Sequence, residues 1–418
     1  MMNKTVHKYL TILVLSLAGS SIYALPYIKY VFYDVQLSVM NISHMESGML
    51  ISVYALGCML TYIPGGMLTD RISQSKAMGF SLIGTATLGV VYMFTLSYSV
   101  ALVIWFLFAV TTTFVFWTSL IKAISLVGEE DEQARLYGLY YAGNGLAGTV
   151  INVLALKIST LTEDPTQGFI YSLATLCCFC LFCGILVLLV IRDTNKVEAL
   201  DEFNFADVKG LLKMPTLWCF SLIVFSGYAV SSSTAYFTPY LSNVVGISIE
   251  DTGLFSIIRS HLFYLIAPLG GYLADRIFQS TAKLFTLLFS LLALTLSGVL
   301  FLPSSMGELW ISVYTLLPGA FGLMLYGLVF SIIRETGIPL KVAGTAIGIA
   351  SLIGYTPDLF MSTLFGYWLD RFQNDGYWLI FLTLAGISVS GVILSAVVFK
   401  KNIGVKEVTV ERSELNIA

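Results

Sequence analysis

Three ionisable side chains, Lys29, Arg259 and Asp358, stand in stretches otherwise too apolar to hold them. A charge at bilayer depth is costly, so by default it faces a cavity or a partner. Arg259 lies nine residues after Glu250 and sixteen before Asp275, roughly 13 Å from the nearer end of a helix rising 1.5 Å per residue. A side chain that deep does not snorkel easily to the surface. Its guanidinium suits a substrate anion, or else a structural ion pair with Asp358. Lys29 follows Pro26 and precedes Asp34 by five residues, so its stem either reaches the interface or offers an ammonium to an anion. Asp358, in Gly354-Tyr355-Thr356-Pro357-Asp358-Leu359, can trade a proton for a substrate anion, or serve as a static partner of Arg259 or Lys29. Two cations against one acid leave a positive cavity if all three face inward.

Aromatic residues supply the remainder of a pocket. Tyr228, Tyr236 and Tyr240 recur at spacings of eight and four, one face of a helix. Any one of them alone is ordinary packing; as a set facing Arg259 they suit a hydroxylated or anionic solute. Asn144, Gly145, Gly148 and Asn152 form a small-residue face able to pack tightly and hinge. His261 is two residues from Arg259 and points elsewhere on its helix, and His7 and His44 fall outside the apolar stretches, so no histidine relay is expected.

Several chemistries are excluded. No Gly-x-x-x-x-Gly-Lys-Ser/Thr loop is present to hold nucleotide phosphates, and the apolar stretches hold no metal-ligand group or nucleophile-base pair, so neither a nucleotide-driven pump nor an enzyme is expected. Cys177, Cys178, Cys180 and Cys183 resemble a cluster-binding run, but among Leu, Phe and Ile they read as small-residue helix packing. No metal and no cofactor is expected.

The elements that position these residues are membrane helices. The chain is 57% hydrophobic and 11% charged, with a mean hydropathy of +0.85, whereas soluble domains are about a quarter charged. A net charge of −3 gives no basic stripe for nucleic acid. Apolar stretches long enough to cross about 30 Å of hydrocarbon fall near 9–33, 47–69, 77–97, 100–124, 136–159, 168–191, 215–242, 252–274, 282–302, 309–333, 343–368 and 377–399. Lys4, His7 and Lys8 before the first imitate a secretory signal, but that run continues to Phe32 without a convincing cleavage site, so it is a retained span. Runs this long and apolar are helices. The expected fold is all-α and integral to the membrane, with twelve transmembrane helices in two pseudo-symmetric six-helix halves, 1–192 and 215–400. A linker, 193–214, joins them and a polar, poorly ordered tail, 401–418, follows. The linker is either a short amphipathic helix on the membrane surface or plain chain.

The division into halves rests on a repeat. Gly65-Gly66-Met67-Leu68-Thr69-Asp70-Arg71-Ile72-Ser73-Gln74-Ser75 returns 205 residues later as Gly270-Gly271-Tyr272-Leu273-Ala274-Asp275-Arg276-Ile277-Phe278-Gln279-Ser280, with eight of eleven pairs identical. The same offset sets Arg259 against Tyr54, so the halves present different polar groups at one depth. With the N-terminus inside, 18 of the 22 Lys and Arg residues are cytoplasmic, leaving Lys29, Lys157, Arg259 and Arg371. Both termini are therefore expected in the cytoplasm.

Both copies of the repeat resemble the Gly-x-Leu-Ala-Asp-Arg loop that the major facilitator superfamily carries after its second and eighth helices. The first departs from the pattern after Ile72, where Ser73-Gln74-Ser75-Lys76 replaces the usual basic residues. The resemblance implies a secondary transporter with one central site that works by alternating access. It further implies that Gly66, Asp70, Arg71, Gly271, Asp275 and Arg276 belong to a gate latch, with Arg135, beside Glu129 to Glu132, closing against Asp70 and Arg71. Tyr27-Ile28-Lys29-Tyr30 resembles the segment where organic-anion and glycerol-3-phosphate transporters of that superfamily keep a substrate-binding cation. Trp117, Tyr140 and Asn144 match the same branch by position, although span 7 lacks the arginine kept by glycerol-3-phosphate transporters. The expected substrate contacts are thus Lys29, Tyr27, Tyr54, Trp117, Tyr140, Asn144, Tyr228, Tyr236 and Arg259, with Asp358 coupling protons. The expected function is transport of a small organic anion, such as a sugar acid, sugar phosphate or sulfonate, with protons or against a counter-anion, by a monomer in the cytoplasmic membrane. A proton-coupled carrier of a neutral sugar, nucleoside or amino acid is the alternative, and a solute sensor on the same scaffold a further one.

Overall fold

A computed structural model describes residues 4–69, 72–127, 133–191, 205–303, 306–338 and 343–415. Helix occupies all twelve expected places. Span 1 is Lys4–Ala24, span 2 His44–Thr69, span 3 Gln74–Thr95, span 5 Gln133–Ser159, span 6 Pro165–Val190, span 9 Thr281–Val299, span 10 Glu308–Leu328 and span 12 Gly376–Leu415. Among the described residues nine helical stretches are long and apolar enough to cross a membrane, the last running through two spans as Thr345–Lys400.

Four spans are interrupted. Span 4 is Tyr98–Ala109 and Phe116–Ser125 around a π-helical segment, Val110–Phe114. Span 7 runs Pro215–Ser233, a 3-10 turn Thr234–Tyr236, Phe237–Tyr240, then a π segment Leu241–Val245. Span 8 is Ile249–Ser260, the 3-10 turn Leu262–Ile266, Ala267–Tyr272 and the π segment Leu273–Phe278. Span 11 is Ala343–Gly354 and Pro357–Phe372. Spans 7, 8 and 11 stand where hydropathy places them, with these irregular segments inside them. Proline accounts for part of this: it lacks an N–H and clashes with the carbonyl four residues back, but is tolerated in a first turn. Pro357 opens the second half of span 11 and Pro268 sits in the first turn after the break in span 8. Span 1 is shorter than expected, ending at Ala24 before Pro26. A 3-10 turn, Ile28–Tyr30, and a short helix, Tyr33–Met40, follow it.

The two loop copies differ in their caps. Ser73 accepts a hydrogen bond from the Lys76 N–H to start span 3, while Ser280 accepts one from Lys283 to start span 9. Under the 205-residue offset Ser280 matches Ser75, so the first cap has moved two residues earlier, as the departure after Ile72 allows. In the linker, Phe205–Leu212 is helical; its remainder, 193–204, lies outside the described residues. The tail expected to be poorly ordered is helical as far as Leu415. Extending an existing helix costs far less than nucleating one, and no proline stops it.

The chain packs as two compact units. One comprises Met1–Ala199, Ala235–Leu265 and Asp358–Tyr377; the other Leu200–Thr234, Ile266–Pro357 and Trp378–Ala418. These are groupings by packing, whereas the two halves read from the repeat are groupings by topology. The boundaries at 234/235, 265/266 and 357/358 fall inside or beside the breaks of spans 7, 8 and 11. The first unit has two apolar clusters, one around Trp105, Phe108 and Phe169, the other around Leu15, Phe116 and Val187. Cys177, Cys180 and Cys183 are buried on span 6, where the Cys180 thiol donates to the Leu82 carbonyl of span 3 at 3.3 Å, the small-residue packing their setting called for.

Candidate functional site

The first unit buries Lys29, Arg259 and Asp358, at 3%, 1% and 7% exposure. Burial of Lys29 removes the alternative in which its stem reaches the interface. Each sits at a break in its span: Lys29 in the turn after span 1, Arg259 at the last turn before His261, Asp358 in the first turn of Pro357–Phe372. Broken helices free backbone and side-chain groups at depth, where transporters place ligand sites.

The Lys29 ammonium lies 5.7 Å from the centre of the Tyr33 ring and 5.5 Å from that of Tyr236, within cation-π range. Among the described residues its Nζ has no hydrogen-bond partner. Asp358 acts on it electrostatically, and accepts a long hydrogen bond of 3.5 Å from the Tyr27 hydroxyl. The Tyr27 ring meets Tyr30 at 5.1 Å and Tyr54 at 5.5 Å, and the Tyr54 hydroxyl pairs with Thr112 Oγ1 at 2.8 Å. Tyr236 is fixed by donating to the Ser362 carbonyl at 2.8 Å. Arg259 joins the group through the backbone: its Nη2 donates to Thr238 Oγ1 at 3.1 Å, and Thr238 donates to the Tyr30 carbonyl at 3.1 Å. Its guanidinium also lies over Phe237, 5.4 Å from the ring centre.

Of the residues expected to contact substrate, the structure therefore brings together Lys29, Tyr27, Tyr54, Tyr236 and Arg259, with Asp358, the expected coupling residue, beside them. Trp117 stands apart with Tyr23, ring centres 6.4 Å apart. Tyr140 and Asn144, on span 5, face span 1 at Gly19, ten residues before Lys29, with Asn144 donating to the Tyr140 hydroxyl at 3.3 Å. Tyr228 belongs to the second unit, against Tyr326 and Tyr355 at 5.7 and 4.6 Å. The 3-10 turn Thr234–Tyr236 spoils the eight-and-four spacing that put Tyr228, Tyr236 and Tyr240 on one face. His261 turns away from Arg259, its Nε2 3.1 Å from Asn152 Nδ2. The small-residue face of span 5 receives it, since an added methyl on Gly148 would meet its ring and one on Gly145 its carbonyl.

Among the gate residues, Asp70 and Arg71 lie outside the described residues, and Gly66 and Arg135 fall in spans 2 and 5. Asp275 and Arg276 are exposed in the π segment of span 8. The first glycine of each pair makes the close approach: a methyl on Gly65 would strike the Phe114 backbone and one on Gly270 the Met324 side chain, whereas Gly271 faces open space.

Sequence reasoning missed Tyr33, Thr112 and Thr238. Tyr33 is four residues from Lys29; Thr112 is the middle of three threonines in the apolar span 4; Thr238 precedes Pro239 inside span 7. A hydroxyl beside a proline, or a run of hydroxyls at bilayer depth, was the available signal.

An all-helical membrane chain whose first unit buries two cations and a carboxylate has the makings of a transporter, and its family agrees. The sequence model of the Major Facilitator Superfamily matches residues 9–357, and the chain belongs to that superfamily. It is 28% identical to the Inner membrane protein YihN of Escherichia coli (strain K12), over 95% of this chain and 96% of that one. Similarity also extends to the Sodium-dependent phosphate transport protein 3 of Mus musculus, at 21% identity over 86% of this chain and 80% of that one. The fold is similar to the crystal structure of a bacterial homolog to the human lysosomal transporter Spinster, with a TM-score of 0.70 and 14% identity, covering 96% of this chain and 97% of that one.

Proposed function

We propose that this carrier moves a small organic anion, of the sugar-acid, sugar-phosphate or sulfonate kind, and that the anion binds at Lys29 and Arg259. The observation that carries the reading is the Lys29 ammonium, buried in a tyrosine cage without a hydrogen-bond acceptor. Buried donors are normally satisfied, and an anionic oxygen is the group that satisfies this one. The tyrosines around it suit hydroxyls on the same solute. Similarity to a protein named for phosphate transport supports an anionic substrate.

Asp358 is then the coupling group. An anion arriving at Lys29 competes with the Asp358 carboxylate, which accepts a proton once its cation is taken; in anion exchange the second anion takes that place instead. The protein acts as a monomer in the cytoplasmic membrane with both termini inside. Halves 1–192 and 215–400 rock about the site, and Asp70, Arg71, Arg135, Asp275 and Arg276 latch its inner side.

Thermal unfolding of the detergent-purified protein against sugar phosphates, hexuronates, sulfonates, neutral sugars, nucleosides and amino acids tests the reading, with Lys29→Gln beside the wild type. A ligand at about 100 times its dissociation constant adds about 2.7 kcal/mol, visible as a melting shift. Anions alone should stabilise the wild type, and Lys29→Gln should lose the effect. Neutral solutes stabilising both proteins alike would overturn the anion reading in favour of a proton-coupled neutral carrier.

A further inference from the structure

Within the first unit, span 11 meets the start of span 2, and their contact has a sequence signature. Gly366-Tyr367-Trp368-Leu369-Asp370-Arg371-Phe372 repeats the order Gly-x-x-x-Asp-Arg-apolar found from Gly66 to Ile72 and from Gly271 to Ile277. Span 11 runs antiparallel to span 2, so this third copy closes its helix at the start of span 2 and not at its end.

Its Asp370 caps the start of span 2. The His44 N–H donates to Oδ1 at 2.9 Å and the Met45 N–H to Oδ2 at 2.8 Å. A helix N-terminus leaves such donors without intrahelical partners, and its dipole favours a negative charge there. The glycine of the motif brings the backbones together: a methyl on Gly366 would overlap the His44 carbonyl, and one on Gly48 the Ser362 carbonyl. One turn farther in, the Ser52 and Thr363 hydroxyls are 2.7 Å apart.

The contact continues to the candidate site. His44, whose backbone N–H Asp370 holds, has its ring Nδ1 3.0 Å from the Tyr33 hydroxyl and stacks on that ring at 5.6 Å. Tyr33 in turn meets Tyr236 at 6.1 Å, and these two rings form the cage around Lys29. Asp370, His44, Tyr33 and Lys29 thus form one unbroken series of contacts from the rim to the buried ammonium.

We propose that this third Gly-x-x-x-Asp-Arg segment is a latch that closes the cage over Lys29 at the starting end of span 2, with Asp370 as its positioning residue. Under the orientation proposed above that end is the outer one. When the latch releases, the start of span 2 swings from span 11 and carries His44 off Tyr33, opening a path to Lys29. Arg371, exposed beside it, takes no part.

The test reads opening directly and without substrate, so it is independent of what the carrier moves. A reporter cysteine replaces Ser52, and its labelling by a membrane-impermeant maleimide is timed in right-side-out and inverted vesicles. Background from the native cysteines is taken from the protein without the reporter. Adding Asp370→Asn or Gly366→Ala should raise the right-side-out rate about fivefold, the Boltzmann weight of one lost helix cap, while Arg371→Gln leaves it unchanged. A rise confined to inverted vesicles keeps the latch and overturns the orientation. Unchanged labelling in both Asp370→Asn and Gly366→Ala, in protein that reaches the membrane in normal amount, overturns the latch. So does an equal rise in Arg371→Gln.

Discussion

Span 2 and span 8 close on nearly the same eleven residues, yet one is a single helix and the other is in four pieces. Span 2 keeps Pro64 inside an unbroken His44–Thr69. In span 8, Pro268 stands one residue earlier than the offset position of Pro64, and the helix stops at Ser260. Proline at that depth permits a break without forcing one. What differs is the bonding upstream of it. At the matched positions Tyr54 bonds to Cys58 on its own span and Thr112 on the neighbouring one, whereas Arg259 reaches Thr238 and His261, two residues on, reaches Asn152. Bonds of two strong polar groups on different sides of a helix hold its end against continuation. The lesson is that a sequence repeat preserves topology and loop chemistry, while the site is written in the residues where the copies disagree.

The largest expected effect comes from erasing that disagreement. Arg259→Tyr gives span 8 the residue of span 2 and should cost an anionic ligand about 2–5 kcal/mol of binding, on the order of a hundredfold in a titration followed by melting shift. Anion affinity within a factor of two of wild type would remove Arg259 from the site and reduce the comparison to backbone shape alone. The glycines sharpen it next. Gly65 abuts the Phe114 backbone, which cannot yield, while Gly270 abuts the flexible Met324. Within the 1–3 kcal/mol typical of overpacking, Gly65→Ala should lie near about 3 and Gly270→Ala near about 1, read from irreversible unfolding rates or denaturant midpoints. The reverse order would mean that the second copy, not the first, is the rigid one. The smallest effect belongs to the ion pair of Lys157 with Glu250 at the start of span 8, whose side chains are 57% and 38% exposed. Exposed pairs contribute roughly 0–1 kcal/mol, so Lys157→Gln should move the melting temperature by a degree or two and less still in high salt.

Much of this was legible without coordinates. Twelve apolar stretches and the doubled Asp-Arg loop fixed the helix count, because backbone satisfaction in lipid leaves no alternative. Lys29, Arg259 and Asp358 could be singled out because a charge at depth has few reasons to exist. Their grouping was not legible, since it depends on breaks that hydropathy averages away. Pro26, Pro268 and Pro357 all mark such places, but Pro64 and Pro318 sit inside continuous helices, so proline alone does not select. The π segment at Val110–Phe114, which presents Thr112 to Tyr54, has no proline and no residue pattern to announce it. Trp117, Tyr140 and Asn144 were matched by position to other transporters, and the structure sets them away from Lys29 because position along a span does not fix depth once the first span ends at Ala24.

An ammonium held by tyrosine faces and one nearby carboxylate, with no acceptor of its own, makes the choice of buffer an experimental variable. Under the proposed anion reading, phosphate, citrate or sulfate in a purification would meet the same three N–H donors as the proposed cargo and shield the protein against heat, masking the ligand being sought. A preparation kept in chloride and a zwitterionic buffer should melt earlier than one in phosphate. That difference would be the first sign of an occupied Lys29.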